Sequence, residues 1–161
     1  MKKLLFLFCL LSWSVLHAQK TINRPPFIAK ATETIEIAAI HLSDTATVVD
    51  VDAKFIPKNW IRIAPATCLV ADNGERYQVR QGVGIELGQE FWMPESGEAT
   101  FSLIFPPLPA SVKSFDFVEG EGERDFNLFG ISLIGKLPKL QLPKDLGNCL
   151  LYTSPSPRDA H

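Results

Sequence analysis

The sequence predicts an all-β fold, a single antiparallel β-sandwich of immunoglobulin-like architecture. Two observations carry this. Short apolar runs recur from Thr34 to Ile134, punctuated by Gly, Pro, Asn and Asp, the rhythm of strands joined by turns. Outside residues 1–18, no stretch has the length and period of an amphipathic helix.

The first strand is expected over Thr34–Leu42, with its alternation slipping at Ala38-Ala39, which suggests a bulge. The next spans Thr47–Phe55. Val49, Val51, Ala53 and Phe55 share one face there, and Asp50, Asp52 and Lys54 the other, the pattern of a half-buried strand. Asp50 and Asp52 have the look of a metal pair, but their place on the solvated face reads as charged surface. Pro57-Lys58-Asn59 breaks the strand, and Trp60–Ile63 begins another short one. Cys68–Ala71 and Tyr77–Arg80 flank Asp72-Asn73-Gly74-Glu75, where Asn73-Gly74 signals a tight hairpin turn because both residues can adopt positive φ. Gly82-Val83-Gly84 lacks the Lys-Ser/Thr and the helix of a phosphate loop.

Phe91-Trp92-Met93-Pro94-Glu95-Ser96-Gly97-Glu98 reads as an aromatic loop. Its rings are expected to cap one end of the core, since aromatics carry large buried areas; the alternative is a binding surface of Trp60, Phe91 and Trp92, which exposure of the rings would favour. Ala99–Phe105 is a strand ended by Pro106-Pro107-Leu108-Pro109, because proline cannot donate to a sheet ladder. Leu108 and Val112 are expected to plug the core from this crossing loop. Ser114–Glu119 and Phe126–Ile134 complete the set, giving about seven to nine strands between Phe27 and Leu133.

Glu119, Glu121, Glu123 and Asp125 form an acidic cluster between those last two strands. Calcium would favour such oxygens. The spacing is not that of an EF-hand, and Gly120 and Gly122 suit a hairpin turn, so no metal site is assigned.

The two ends read differently from the middle. Lys2 and Lys3, the apolar Leu4–Leu11 and a cut after Ala18 make residues 1–18 a signal peptide. The apolar run is short for a membrane span, and Cys9 lies inside it, where it makes a poor lipid acceptor. The chain is therefore expected to be exported, to the periplasm or cell envelope, with no stable membrane span after cleavage. Residues 19–134 form the sandwich. Residues 135–148 repeat Leu-Pro-Lys and read as an extended linker. Residues 149–161 resemble a translated transposase sequencing adapter, whose codons reproduce Cys149 through Asp159. That resemblance implies a non-native tail after Asn148 and a longer parent.

Setting both ends aside thins the available chemistry. The chain holds 3 cysteines and 3 histidines, of which the sandwich keeps Cys68 and His41. A single cysteine forms no internal disulfide, and Cys68 beside Leu69 and Val70 reads as a small buried hydrophobe. His41 at a strand end reads as structural, and no catalytic residue or cofactor is expected. The net charge of −2 becomes more negative without Lys2, Lys3 and Arg158, which argues against nucleic acid as a partner.

Three stretches carry a family resemblance: Pro57–Ile63, Phe91–Ala99, and Phe105–Pro109 with Phe115–Gly120. Together with Phe129–Leu133 they resemble the N-terminal β-rich accessory domain of exported TlpA-like, thioredoxin-family thiol-disulfide oxidoreductases. The resemblance implies a downstream thioredoxin-like domain as partner, whose C-x-x-C carries the redox chemistry. No such motif occurs in this chain. Its own role is then that of a non-catalytic accessory or interaction domain. The alternative is a free-standing exported binding module for carbohydrate or protein.

Overall fold

The computed structural model describes residues 19–137. The expected signal peptide, most of the linker and the adapter-like tail lie outside the described residues. Those described contain no helix, and none long and apolar enough to cross a membrane.

The strands are β1 (Lys20–Asn23), β2 (Ala29–Lys30), β3 (Ile35–Leu42), β4 (Thr47–Lys54), β5 (Trp60–Ile61) and β6 (Cys68–Ala71). They continue as β7 (Arg76–Gln78), β8 (Gln81–Val83), β9 (Phe91–Trp92), β10 (Glu98–Phe105), β11 (Ser114–Val118) and β12 (Asn127–Ser132). One five-stranded sheet runs β1-β3-β4-β10-β8, a second runs β2-β12-β11-β6-β7, and β5 with β9 forms a separate ribbon. All pairings are antiparallel.

Without the outermost strands β1 and β2, the orders β3-β4-β10-β8 and β12-β11-β6-β7 have a familiar sequence. They match strands A-B-E-D and G-F-C-C′ of the immunoglobulin fold in both sheet membership and chain order. The inter-sheet disulfide of antibody domains has no counterpart among the described residues, where Cys68 is free. Its place is taken by packing. Val49, Val51, Leu103 and Phe105 of one sheet meet Leu69, Phe115, Phe117, Leu128 and Ile131 of the other in one buried cluster. Phe105 and Phe117 join the layers edge-to-face at 6.3 Å. Val112 is buried and Leu108 partly buried, so the proline-rich crossing loop does plug the core. The hydroxyl of Thr47, itself fully buried, accepts the Leu108 N–H at 3.1 Å and ties that loop down.

Both long central strands lie where alternation placed them. β4 pairs with β10 in unbroken register from Thr47↔Phe105 to Lys54↔Glu98. β3 is bulged at Ala38, since Ile37 faces Val51 while Ala39 already faces Asp50. The extra residue turns Ile40 inward and His41 outward. A second bulge lies in β12, where Phe129 and Gly130 together oppose Asp116, and the Asp116 carboxylate accepts the Gly130 N–H at 2.7 Å.

Three expectations are corrected. The turn after β6 has positive φ at Gly74 alone, not at Asn73. Gly74 N–H bonds to the Ala71 carbonyl and Ala71 N–H to the Glu75 carbonyl, while the Asn73 side chain accepts the Glu75 N–H. This is a three-residue loop closed by a left-handed glycine rather than a two-residue turn. Strands begin at Lys20, ahead of the Phe27 where the expected set begins though within residues 19–134, because β1 pairs with the second half of β3. The strand tally also exceeds the expectation, because β1, β2, β8 and β9 are two to four residues long and carry too little pattern to be read.

Candidate functional site

The aromatic residues meet at one end of the sandwich. The connection from β4 to β6 carries β5, and that from β8 to β10 carries β9; both begin or end beside the Lys54↔Glu98 pair. Alternation sorts the four ribbon residues. Ile61 is buried and Phe91 partly buried, its ring 6.5 Å from that of Phe101. Trp60 and Trp92 point the other way and are 40% and 60% exposed. They are direct cross-strand partners. Met93 N–H bonds to the Asn59 carbonyl at 2.8 Å, so in the alternating ladder Trp60 and Trp92 form the non-hydrogen-bonded pair, the kind whose side chains lie closest.

Local chemistry fixes this ribbon. Lys58 takes φ of 61° at the turn, and its N–H reaches the Met93 carbonyl at 3.2 Å. The Asn59 carboxamide oxygen accepts the Trp60 N–H at 2.9 Å. Met93 is buried beneath, and Gly97, at φ of 69°, accepts the Phe55 N–H at 2.9 Å. Of the three aromatic residues proposed from sequence, the structure brings Trp60 and Trp92 together at the surface and gives Phe91 to the core.

Beside Trp60 opens a groove of about 840 Å³. Its walls are the Ala31–Thr34 approach to β3, the ribbon, and the Glu119–Phe126 hairpin between β11 and β12. In immunoglobulin terms these include the B–C and F–G connections, which share the end where variable domains carry their antigen loops; that is an analogy of fold. Glu119 forms the floor. One oxygen accepts the Ala64 N–H and the other the Phe126 N–H, both at 2.8 Å, so a single carboxylate ties the two connections together. Burial pushes its pKa up against the opposing pull of those two amides. Asp125 accepts the Gly122 N–H at 2.7 Å within the hairpin. Two members of the acidic cluster, Glu119 and Asp125, thus use their oxygens as acceptors for backbone N–H groups. Among the described residues no group of three His, Cys, Asp or Glu side chains could hold a metal ion.

On the opposite, outer face of the first sheet lies a second constellation. His41 Nε2 is 2.7 Å from Asp50, His41 Nδ1 is 3.0 Å from the Thr21 hydroxyl, and the Ser102 hydroxyl donates to Asp50 at 2.7 Å. Partial burial would raise the Asp50 pKa, but the Ser102 and His41 hydrogen bonds outweigh it and hold the carboxyl below its ordinary value. The parts of a triad are present in the wrong order: serine bonds the carboxylate, not the imidazole. The hydroxyl on His41 is that of Thr21, on a flat sheet face whose N–H groups lie in the plane of the ladder, where none can cradle an oxyanion. The arrangement is a cross-strand clamp made possible by the Ala38 bulge. Sequence alone missed it, because His41, Asp50 and Ser102 become neighbours only through register. Cys68 is buried, with the Arg76 guanidinium 3.5 Å from its sulfur.

No protein-family model matches the chain, no curated protein is significantly similar to it, and no solved structure matches it. The site therefore rests on its own geometry.

Proposed function

We propose that this chain is a non-catalytic accessory module, exported to the periplasm or cell envelope, that binds through the Trp60–Trp92 ribbon. The observation that carries the reading is the exposed tryptophan pair. Large aromatic surface left in water at a defined register is costly unless something covers it. The ribbon is held by Ile61, Phe91 and Met93 beneath, so the rings are displayed by structure and not by a frayed loop. The family resemblance supports a parent in which this module sits ahead of a thioredoxin-like domain. The redox chemistry belongs to that domain, and the module's task is docking or positioning. A free-standing module for carbohydrate or protein rests on the same two rings.

Three measurements test the reading. The chain should be retained on insoluble cell-envelope material, and Trp60→Ala/Trp92→Ala should abolish retention with the circular dichroism unchanged; equal retention of the variant would sink the binding role. The chain should not accelerate insulin reduction beyond a thiol-free control. An uninterrupted read of the gene past the Asn148 codon should enter a domain with C-x-x-C, and a stop codon there would refute the parentage.

A further inference from the structure

We infer that the groove beside Trp60 binds a neutral oligosaccharide, with Trp60 and Trp92 as successive stacking platforms. This rests on the binding role proposed above and names its ligand class.

Three observations lead to it. First, the site is concave as well as aromatic. Its volume of about 840 Å³ lies in the range of small-ligand clefts, about 300–1,000 Å³. A protein partner would need roughly 800 Å² of its own surface seated around a dry apolar centre. Here the exposed large apolar side chains near the ribbon are Trp60, Trp92 and Ile56, bordered at once by the Lys58–Glu95 ion pair.

Second, the groove is lined by four carboxylates, Glu33, Glu119, Glu123 and Asp125, against two guanidinium groups, Arg62 and Arg124, and three of the four carboxylates are engaged. Glu33 pairs with Lys30 at 2.7 Å. Glu119 and Asp125 point oxygens at backbone N–H groups. Arg62 and Arg124 line the groove with no ion-pair partner among the described residues, and Glu123 lines it likewise. The wall therefore offers guanidinium donors and a carboxylate acceptor, and with Glu33 offset by Lys30 the remaining excess of carboxylate turns away anionic ligands. A sugar hydroxyl donates and accepts at once, and adjacent hydroxyls match a guanidinium or carboxylate fork. A nucleotide or other polyanion would meet Glu123 and the carboxylates behind it.

Third, the aromatic geometry suits a pyranose. The C–H face of a sugar is weakly positive and stacks on the electron-rich face of an indole. Trp60 and Trp92 face each other across the ribbon, with side-chain origins about 4.5–5.5 Å apart, on the scale of one ring in a chain. Trp60 also lines the groove, whereas Trp92 stands beyond it, so a chain seated in the groove would pass from one ring to the next.

The test is a tryptophan-fluorescence titration of the chain with cellohexaose, chitohexaose and mannohexaose, and with hexagalacturonate as the anionic comparison. At least one neutral hexasaccharide should bind with a Kd of about 1 mM or tighter. Trp60→Ala should weaken that binding by about tenfold or more, Trp60→Phe by less, and Arg124→Ala should weaken it with the fold unchanged. Binding of hexagalacturonate alone, binding indifferent to Trp60→Ala, or no neutral sugar bound would each overturn the inference. Envelope retention that still depends on both tryptophans would then leave the binding role standing with a different ligand, whereas retention indifferent to them would remove the role itself.

Discussion

Replacing Gly97 by alanine should destabilise the fold by about 2–5 kcal/mol, and Gly74→Ala by about 1–2 kcal/mol, although the two glycines share a left-handed backbone. Gly74 has φ of 86° and Gly97 φ of 69°. A side chain in that region brings Cβ against the following carbonyl at about 1–2 kcal/mol, and this part of the cost is common to both. The surroundings differ. A Cβ on Gly74 would meet nothing within 4 Å, for the hairpin tip is open. A Cβ on Gly97 would lie 2.6 Å from the Phe55 carbonyl oxygen and 3.3 Å from the ring of Pro57.

That oxygen is backbone, so it cannot swing aside as a side-chain tip would. Relief requires moving Phe55 and the Pro57 turn that feeds the ribbon, and forced repacking of this kind costs a further ~1–3 kcal/mol. Urea denaturation of both variants, read by linear extrapolation with the slope m unchanged, gives the two costs, and their difference isolates the steric part. Gly97→Ala should in addition shift the fluorescence of Trp60 and Trp92, which Gly74→Ala should leave alone. Equal costs for the two substitutions, or a Gly97 variant with an unmoved spectrum, would refute the claim that close packing at Gly97 sets the ribbon.

Two further outcomes are expected. Phe117, fully buried and edge-to-face with Phe105, should cost about 3–5 kcal/mol on replacement by alanine, measured by the same denaturation; a cost below about 1 kcal/mol would contradict a single core shared by both sheets. Asp50→Asn should lower the melting temperature at neutral pH and converge with the wild type in acid. The folded-state pKa of Asp50 lies below its ordinary 3.8, so its contribution is present above that value and is lost as pH falls through the folded-state pKa. The carboxylate is 37% exposed, and solvent screening holds the effect to about 1 kcal/mol or less. A melting difference constant with pH would rule the clamp out.

The legible parts of the fold were those with a strong period. β4 and β10 announce themselves by alternation over eight residues each, and even the Ala38 bulge shows as a slip in that alternation. The turn after β6 was located but not typed: Asn-Gly suits a two-residue turn, yet here the asparagine side chain closes an Asx-type bond to Glu75 and the glycine alone turns left-handed. β8 and β9 were missed because two or three residues hold no period, and their strand character comes from the partner across the ladder. The site divides likewise. Trp60 and Trp92 could be named as candidates from residue type, but their separation from Phe91 depends on which residue of the β9 pair faces Ile61. The groove was not legible, since Glu119 joins Ala64 and Phe126 across a fold that brings distant connections to one end.

The same division explains why the tryptophans can be tested cleanly. Each ribbon strand has one residue committed to the core and one to solvent. Ile61 and Phe91 carry the attachment, and Trp60 and Trp92 carry the exposed surface. Trp60 and Trp92 leave 40% and 60% of their surface in water, so removing an outward ring should cost less in stability than removing a fully buried one. Cross-strand packing of the pair contributes no more than about 1 kcal/mol, well below the cost expected for Phe117. Neither ring belongs to the buried core cluster that joins the two sheets. In the same ribbon the core-facing places are filled by an isoleucine and a phenylalanine, so large apolar side chains were not wanting for them. Two tryptophans on the solvent face, at the register that brings them nearest, beside a groove whose connections the half-buried Glu119 carboxylate ties together, are the feature on which the proposed binding role rests.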